Sequence, residues 1–155
     1  MIQFFVPGLP RPEPRARTFQ VNGATRTARD PKCDAWKKSV RLALLAATPH
    51  DRRGAPLFAR DASVWATMLF RFERPKSHWR ADGTLRDDAR PLPSIAPDAD
   101  NLAKAVLDAI GPWPHKKGVP LAWVDDCIVC ALDVRKQYHE PGQPSGCLVT
   151  LEPLK

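Results

Sequence analysis

The chain has 155 residues, of which 43% are hydrophobic and 26% charged, and its formal net charge is +7. A chain of this length can bury a core without disulfide or metal staples, and the positive charge favours a polyanionic partner. No apolar run reaches the roughly 18 residues that a membrane span needs. The start, Met1 to Phe5, has neither the basic lead nor the cleavage site of a signal peptide, so we expect a cytoplasmic protein.

The first half of the chain predicts a strand, an extended arm, a helix and a second strand. The strand begins near Met1, and prolines stiffen the arm from Pro7 to Pro14. A helix over 34–47 places Trp36, Val40 and Leu44 on one face. Residues 64–72 alternate with apolar side chains on both faces, which is typical of a strand in the middle of a sheet.

The second half predicts a long loop, a helix and two strands. The loop, 73–97, interleaves Lys76 and Arg80 with Trp79; this suits DNA contact, or a solvated loop whose Trp79 packs on the core. The helix spans 99–110, and strands follow at 127–138 and 147–151. The whole is an α+β fold: a single domain over 1–155, with a mixed β-sheet, two helices and the order β-α-β-α-β-β.

Carboxylates concentrate at two places in this basic chain. Asp98 and Asp100 lie at the start of the second helix, and Asp125 and Asp126 precede the strand that follows it. Oxygen ligands of this kind hold Mg²⁺, which is commonly bound by one or two carboxylates plus substrate phosphates. Asp98 and Asp100 converge only if Asp98 lies on the extended approach to the helix. If the later strand lies beside the helix, Asp126 or Asp125 could complete the site.

Each of these residues also has a purely structural interpretation. Asp98 could be an ordinary N-cap, and Asp100 could favour the positive end of the helix dipole. Lys104, one turn beyond Asp100, could form a solvated ion pair with Asp100 or Asp108. Together, in a basic chain, the residues favour a metal-dependent nuclease.

The four cysteines are Cys33, Cys127, Cys130 and Cys147. Cys127 and Cys130 form a C-x-x-C pair, but a structural zinc site usually draws four ligands from paired clusters, and no second pair exists. The pair falls in the strand predicted over 127–138, so we expect small buried thiols.

The run P-D-A-D-N-L-A-K-A-V-L-D-A-I, followed by V-D-D-C-I-V, resembles the signature of RusA-type Holliday junction resolvases, which are common in phages and prophages. The resemblance implies a RusA-like fold and a homodimeric endonuclease of recombination and repair. Its cofactor would be Mg²⁺, with Mn²⁺ as a substitute, and its substrate a four-way DNA junction. Carried over, Asp98, Asp100 and Asp126 would be catalytic metal ligands, and Lys104 the associated lysine.

Two rival functions stay open. Pro97-Asp98 with Asp133-Val134-Arg135 faintly matches the layout of restriction-type nucleases, with arginine in place of the lysine. A non-catalytic DNA-binding protein would keep the acidic cluster as structure only, and would bind junctions in chelator without cutting them. Whichever of these functions the protein has, we expect basic residues of the arm and loops to contact DNA phosphates. They are Arg11, Arg15, Arg17, Lys76, Arg80, Lys116 and Lys117.

Overall fold

The computed structural model describes residues 1–14, 18–21, 23–27, 30–52, 55–111 and 122–154. Its centre is a four-stranded mixed sheet in the order β1-β6-β4-β5. The strands are β1 (Ile2–Pro7), β4 (Val64–Phe72), β5 (Val129–Tyr138) and β6 (Gly146–Pro153). β6 runs antiparallel to both β1 and β4, whereas β4 and β5 are parallel. The predicted α+β class with two helices and a mixed sheet is confirmed.

Two helices cover one face of the sheet. They are α1 (Pro31–Ala47) and α2 (Ala99–Ile110), and the bounds of α2 are those predicted from its apolar spacing. The helices bury their apolar faces against alternate residues of the strands, among them Val40, Val106, Met68 and Phe70. Because β4 and β5 are parallel, the chain must cross back over the sheet between them. α2 makes this return, and so runs antiparallel to β5.

A short hairpin follows the N-terminal arm. Strands β2 (Thr18–Val21) and β3 (Ala24–Thr27) pair antiparallel in a separate two-stranded sheet. The predicted order β-α-β-α-β-β did not include them. The dipeptide Asn22-Gly23 was the available signal, because Gly23 has φ +77° and Asn-Gly favours tight hairpin turns. Arg15 and Arg17 lie outside the described residues.

The cysteines divide into two classes. Cys33 and Cys147 are buried, and burial raises the pKa of both thiols, to about 12 for Cys33. Cys127 and Cys130 are exposed, so the prediction that they are small buried thiols is wrong. Cys127 lies in a 3₁₀ turn, Asp126–Ile128, before β5, and β5 is one of the two edge strands of the four-stranded sheet. An edge position leaves side chains such as Cys130 without a neighbouring strand to cover them.

A half-buried charge network joins the N-terminal arm to both helices. Lys37 of α1 forms an ion pair with Glu13 of the arm and lies 3.5 Å from Asp108 of α2. Burial by itself would lower the pKa of Lys37, but the hydrogen bond and charge of Glu13, helped by Asp108, outweigh burial and raise it. The backbone N–H of Glu13 also donates to the carbonyl of Asn101 at 2.8 Å. The arm is therefore fastened beside the first turns of α2.

Replacing Lys37 with methionine should lower the free energy of unfolding by roughly 1–2 kcal/mol, because two carboxylates lose their cation in a partly shielded place. The ammonium has a raised pKa, so its contribution is fully present below the pKa of an unfolded lysine and is lost only as alkaline pH passes the folded value. The wild-type–mutant difference in urea unfolding should therefore be constant from pH 6 to 9. Lys38→Met, at an exposed position of the same helix, is the matched control; equal effects of the two changes would contradict the network.

Candidate functional site

The start of α2 presents two acidic side chains to solvent. Asp98 occupies the N-cap position with extended backbone, φ −70° and ψ 143°, and its carbonyl accepts from the N–H of Leu102. Its side chain makes no capping hydrogen bond. Asp100 lies in the first turn and is also exposed. The capping interpretation of Asp98 therefore applies to its backbone but not to its carboxylate.

Lys136 of β5 fixes the approach to this helix. Its Nζ donates to the carbonyls of Ile95 and Pro97, each at 2.8 Å. The ammonium group of Lys136 thus holds the backbone of Ile95 and Pro97, just before Asp98, against the later half of β5. Sequence reasoning missed Lys136, because a lysine about 40 residues from its acceptors gives no local signal.

Lys104 is joined to the charge network rather than to the first turn of α2. Its Nζ lies 3.7 Å from Asp108, one turn later, while its side chain stays 61% exposed. Asp108 in turn lies near Lys37 of α1. Of the two partners considered from the sequence, Asp108 is the one that the structure places beside Lys104. Most of the Lys104 side chain therefore remains accessible to an anion from solvent.

Asp125 and Asp126 have different local roles. The carboxylate of Asp125 caps the 3₁₀ turn by accepting from the N–H of Cys127 at 3.0 Å. The hydrogen bonds from Cys127, with a smaller contribution from the charge of Arg60, lower the pKa of Asp125. Asp126 begins the turn and is exposed. The carboxylate of Asp125 therefore stabilises the turn, whereas the side chain of Asp126 is exposed to solvent.

The two acidic places lie at opposite ends of the α2–β5 pair. Lys136, late in β5, contacts the residues before α2, whereas the N–H of Ala122, before β5, donates to the carbonyl of Ile110 at the end of α2. A helix of 12 residues is about 18 Å long at 1.5 Å per residue. The strand does lie beside the helix, but its direction places Asp126 near the end of α2 and Asp98 at the start.

This separation limits what one chain can hold. Mg²⁺ binds oxygen at about 2.0–2.1 Å, so its ligand atoms lie within about 4 Å of one another. Asp98 and Asp100 have the right donor chemistry for such an ion, whereas Asp126 of the same chain does not reach it. Accordingly, no three His, Cys, Asp or Glu side chains among the described residues could hold one metal ion.

The loop predicted over 73–97 contains ordered structure. It has a 3₁₀ turn, Lys76–His78, followed by a small hairpin in which Trp79 bridges to Leu85. Arg74 lies over the ring of Tyr138, with its guanidinium carbon 4.3 Å from the ring centre. Trp79 is 37% exposed and lines a cleft of about 460 Å³ with Arg74 and Tyr138. Trp79 is thus an exposed residue outside the hydrophobic core, and its contact with DNA stays a prediction.

The proposed phosphate contacts have unequal surroundings. Lys76 is exposed and Arg11 is half-buried. The guanidinium of Arg80 donates to Asp87 at 2.7 Å and to the carbonyl of Leu85 at 2.8 Å, so much of its donor capacity is used inside its own hairpin. Lys116 and Lys117, like Arg15 and Arg17, lie outside the described residues.

With this arrangement established, the comparisons with known proteins identify the family. The model of the family described as Endodeoxyribonuclease RusA matches residues 7–144. The chain therefore belongs to the RusA endodeoxyribonuclease family, whose members act on Holliday junction DNA and depend on divalent metal ions. No curated protein matches the chain. None of the helices in the described ranges is long and apolar enough to cross a membrane.

Proposed function

We propose that this protein is a Mg²⁺-dependent, structure-specific endonuclease that cuts four-way DNA junctions by water attack on a phosphodiester. It would act in the cytoplasm during recombination and repair. The observation that carries the proposal is the start of α2, where Asp98 holds the N-cap position but leaves its carboxylate uncapped beside Asp100. A capping residue that does not cap is available for another ligand. The family match supplies the class of reaction and the DNA substrate.

The roles proposed for Asp98, Asp100 and Lys104 agree with their surroundings, whereas the role of Asp126 rests on the family motif alone. Asp98 and Asp100 would bind Mg²⁺, and Asp126 would be the third carboxylate. The bound ion would lower the pKa of a water and offset charge that develops on the phosphate. Lys104, exposed and one turn from Asp100, would pair with a phosphate oxygen, with Asp108 lying 3.7 Å from the same Nζ. Lys136 would position Asp98 by fixing the backbone just before it.

Cleavage of labelled four-way junction, flap and linear duplex, each with Mg²⁺ or with chelator, tests this function. We expect paired nicks in the junction, weaker cutting of the flap, and no cutting in chelator. A protein that binds the junction in both buffers and cuts in neither would be the non-catalytic binder. Equal cutting of all three substrates would indicate a nuclease of another type.

Asp126→Asn should remove cleavage, whereas Asp125→Asn should reduce it only mildly. The amide of asparagine keeps an oxygen that can accept from the N–H of Cys127, so the turn before β5 should survive the change at Asp125. The change at Asp126 removes a charged ligand. Junction nicking rates of the two variants, measured at equal protein concentration, check this. The reverse order of effects would make Asp125 the functional acid.

Replacing Arg15 and Arg17 together with alanine should weaken binding to all DNA and flatten its salt dependence. Removing one arginine–phosphate ion pair lowers the slope of log affinity against log salt by about 0.9, so removing two changes it by about 2. The proline-stiffened arm loses little entropy when it lies along DNA. Titrations of a junction and of a duplex at several salt concentrations give the slope. An unchanged slope would move the binding face elsewhere, with Lys116 and Lys117 the next residues to test.

A further inference from the structure

A cleft of about 460 Å³ lies between the small hairpin of the 73–97 loop and the turn that follows β5. Backbone hydrogen bonds hold both of its walls. In the hairpin, the N–H of Arg86 donates to the carbonyl of His78 at 2.9 Å. In the turn, the N–H of Gln143 donates to the carbonyl of Glu140 at 3.0 Å. Bonds within each wall therefore define the shape of the cleft, and sites for small ligands are usually preformed in this way.

The lining of this cleft includes an accessible aromatic ring. Trp79 and Leu85 are cross-strand neighbours in the hairpin, and they are 37% and 41% exposed. Tyr138 is nearly buried, and the guanidinium carbon of Arg74 lies 4.3 Å from the centre of its ring. Trp79 is therefore more open to stacking by a flat ligand than Tyr138 is, and Leu85 extends the apolar surface beside it.

The charges of the cleft do not suit a phosphate group. Glu73 and Glu140 are exposed acids in its lining. The guanidinium of Arg74 lies over Tyr138 and donates to the carbonyl of Arg90 at 2.8 Å, so its charge is already engaged. Two carboxylates beside one engaged cation repel a phosphodiester. An uncharged nucleobase is not repelled, and its amino group can donate to a carboxylate. The lining therefore suits a base better than the DNA backbone.

The cleft lies at the same end of β5 as the start of α2. Tyr138 follows Lys136 by two residues, so the two lie on one face of β5 about 7 Å apart. Lys136 donates to the carbonyl of Pro97, the residue before Asp98. Successive nucleotides of one DNA strand rise by about 3.4 Å. A base in the cleft would thus lie within a few nucleotides of a phosphate held at Asp98 and Asp100.

We propose that this cleft binds one unstacked base of the DNA, with the base ring on Trp79 and its polar edge beside Glu73 and Glu140. This inference rests on the proposed function, because it takes Asp98 and Asp100 as the place of the phosphate that is cut. It adds a means of selecting branched DNA. A base that is already unpaired or poorly stacked costs least to move into a protein site, and a branch point interrupts the stack between arms.

Trp79→Ala tests the cleft through junction binding in chelator, where cleavage plays no part. Loss of one base–aromatic stack should weaken affinity for a labelled four-way junction about 5- to 150-fold. The slope of log affinity against log salt should not change, because no phosphate ion pair is lost. Trp79→Phe keeps an aromatic ring and should restore most of the affinity. Leu42→Ala removes an exposed apolar side chain from α1 and is the matched control, with wild-type affinity expected.

A series of abasic junctions identifies the bound base with the wild-type protein. Each junction lacks one base near the branch point but keeps every phosphate. At one position the missing base should weaken binding by the same factor as Trp79→Ala does. Binding of Trp79→Ala to that junction should show no further loss, because both changes remove the same contact. At the other positions the two losses should be independent.

Two results would overturn the base site. One is wild-type affinity in Trp79→Ala, or an abasic series in which every loss adds to that of the variant. The other is a flattened salt slope in Trp79→Ala, which would make the cleft part of a phosphate-binding surface. Failure of the proposed function gives a different pattern. Asp100→Asn would then cut at the wild-type rate, while the binding losses of Trp79→Ala and of one abasic position would still coincide.

Discussion

Asp100→Asn should abolish junction cleavage while leaving junction binding intact. The change removes one charged oxygen ligand from the first turn of α2 with almost no change in volume, and the side chain is exposed, so the fold should be unaffected. We expect a loss of roughly 100-fold or more in nicking rate at saturating Mg²⁺, because a ligand that holds the ion acts throughout the reaction. Affinity for the junction in chelator should equal that of the wild type, since binding comes from phosphate contacts by basic residues.

Asp51→Asn is the matched control for this prediction. Asp51 is also an exposed aspartate, but it lies in the 3₁₀ turn His50–Arg52 after α1 and has no role in the proposed site, so its loss should leave cleavage unchanged. Cleavage at the wild-type rate by Asp100→Asn would remove this residue from the site. A loss of DNA affinity equal to the loss of cleavage would instead place Asp100 in the binding surface.

The parts of the fold with strong local signals were predicted well. α2 has its predicted bounds because Pro97 precedes it, apolar residues recur at helical spacing within it, and Gly111 follows it. β4 was placed in the middle of the sheet because both of its faces are apolar, and it does lie between β6 and β5. The hairpin β2–β3 was missed, because its four-residue strands are too short for a clear alternation.

The candidate site was predictable only as far as its residues are close in sequence. The extended backbone of Asp98 beside the helical Asp100 follows from its N-cap position at the start of α2. The relation of Asp126 to that pair depends on the direction of β5, which the parallel pairing of β4 and β5 sets. Pairings of this kind join distant segments, so a sequence motif that contains three acids does not reveal that a helix length separates them.

The ion pairs around α2 show the same division between local and distant signals. The Lys104–Asp108 pair follows from the i,i+4 spacing of a helix and was among the expected alternatives. The contacts of Lys37 with Glu13 and Asp108 join three separate segments, and nothing near Lys37 in the sequence indicates them. These contacts fasten the arm beside the start of α2. Glu13, the last acidic residue of the arm, is thereby held close to the proposed site.

Gly146→Ala should destabilise the protein strongly, because β6 passes too close to β1 at this residue for a side chain. Gly146 pairs with Pro7 of β1 and with Arg71 of β4. An added Cβ would overlap the carbonyl oxygen of Val6 and the ring of Phe5, and the carbonyl belongs to backbone that the sheet holds in place. Overpacking of this kind costs about 3 kcal/mol, and more when backbone must shift.

Thermal unfolding of the Gly146→Ala variant checks this expectation. A loss of about 3 kcal/mol should lower Tm by roughly 6–12 °C in a chain of this size. Gly142→Ala is the matched control: Gly142 lies in the turn before β6 with φ +83°, and an added Cβ there meets nothing within 4 Å. It should cost only the roughly 1–2 kcal/mol of a left-handed alanine. A Tm of Gly146→Ala no lower than that of Gly142→Ala would contradict this prediction. It would mean that β6 and β1 can move apart at Gly146 far enough to admit a methyl group.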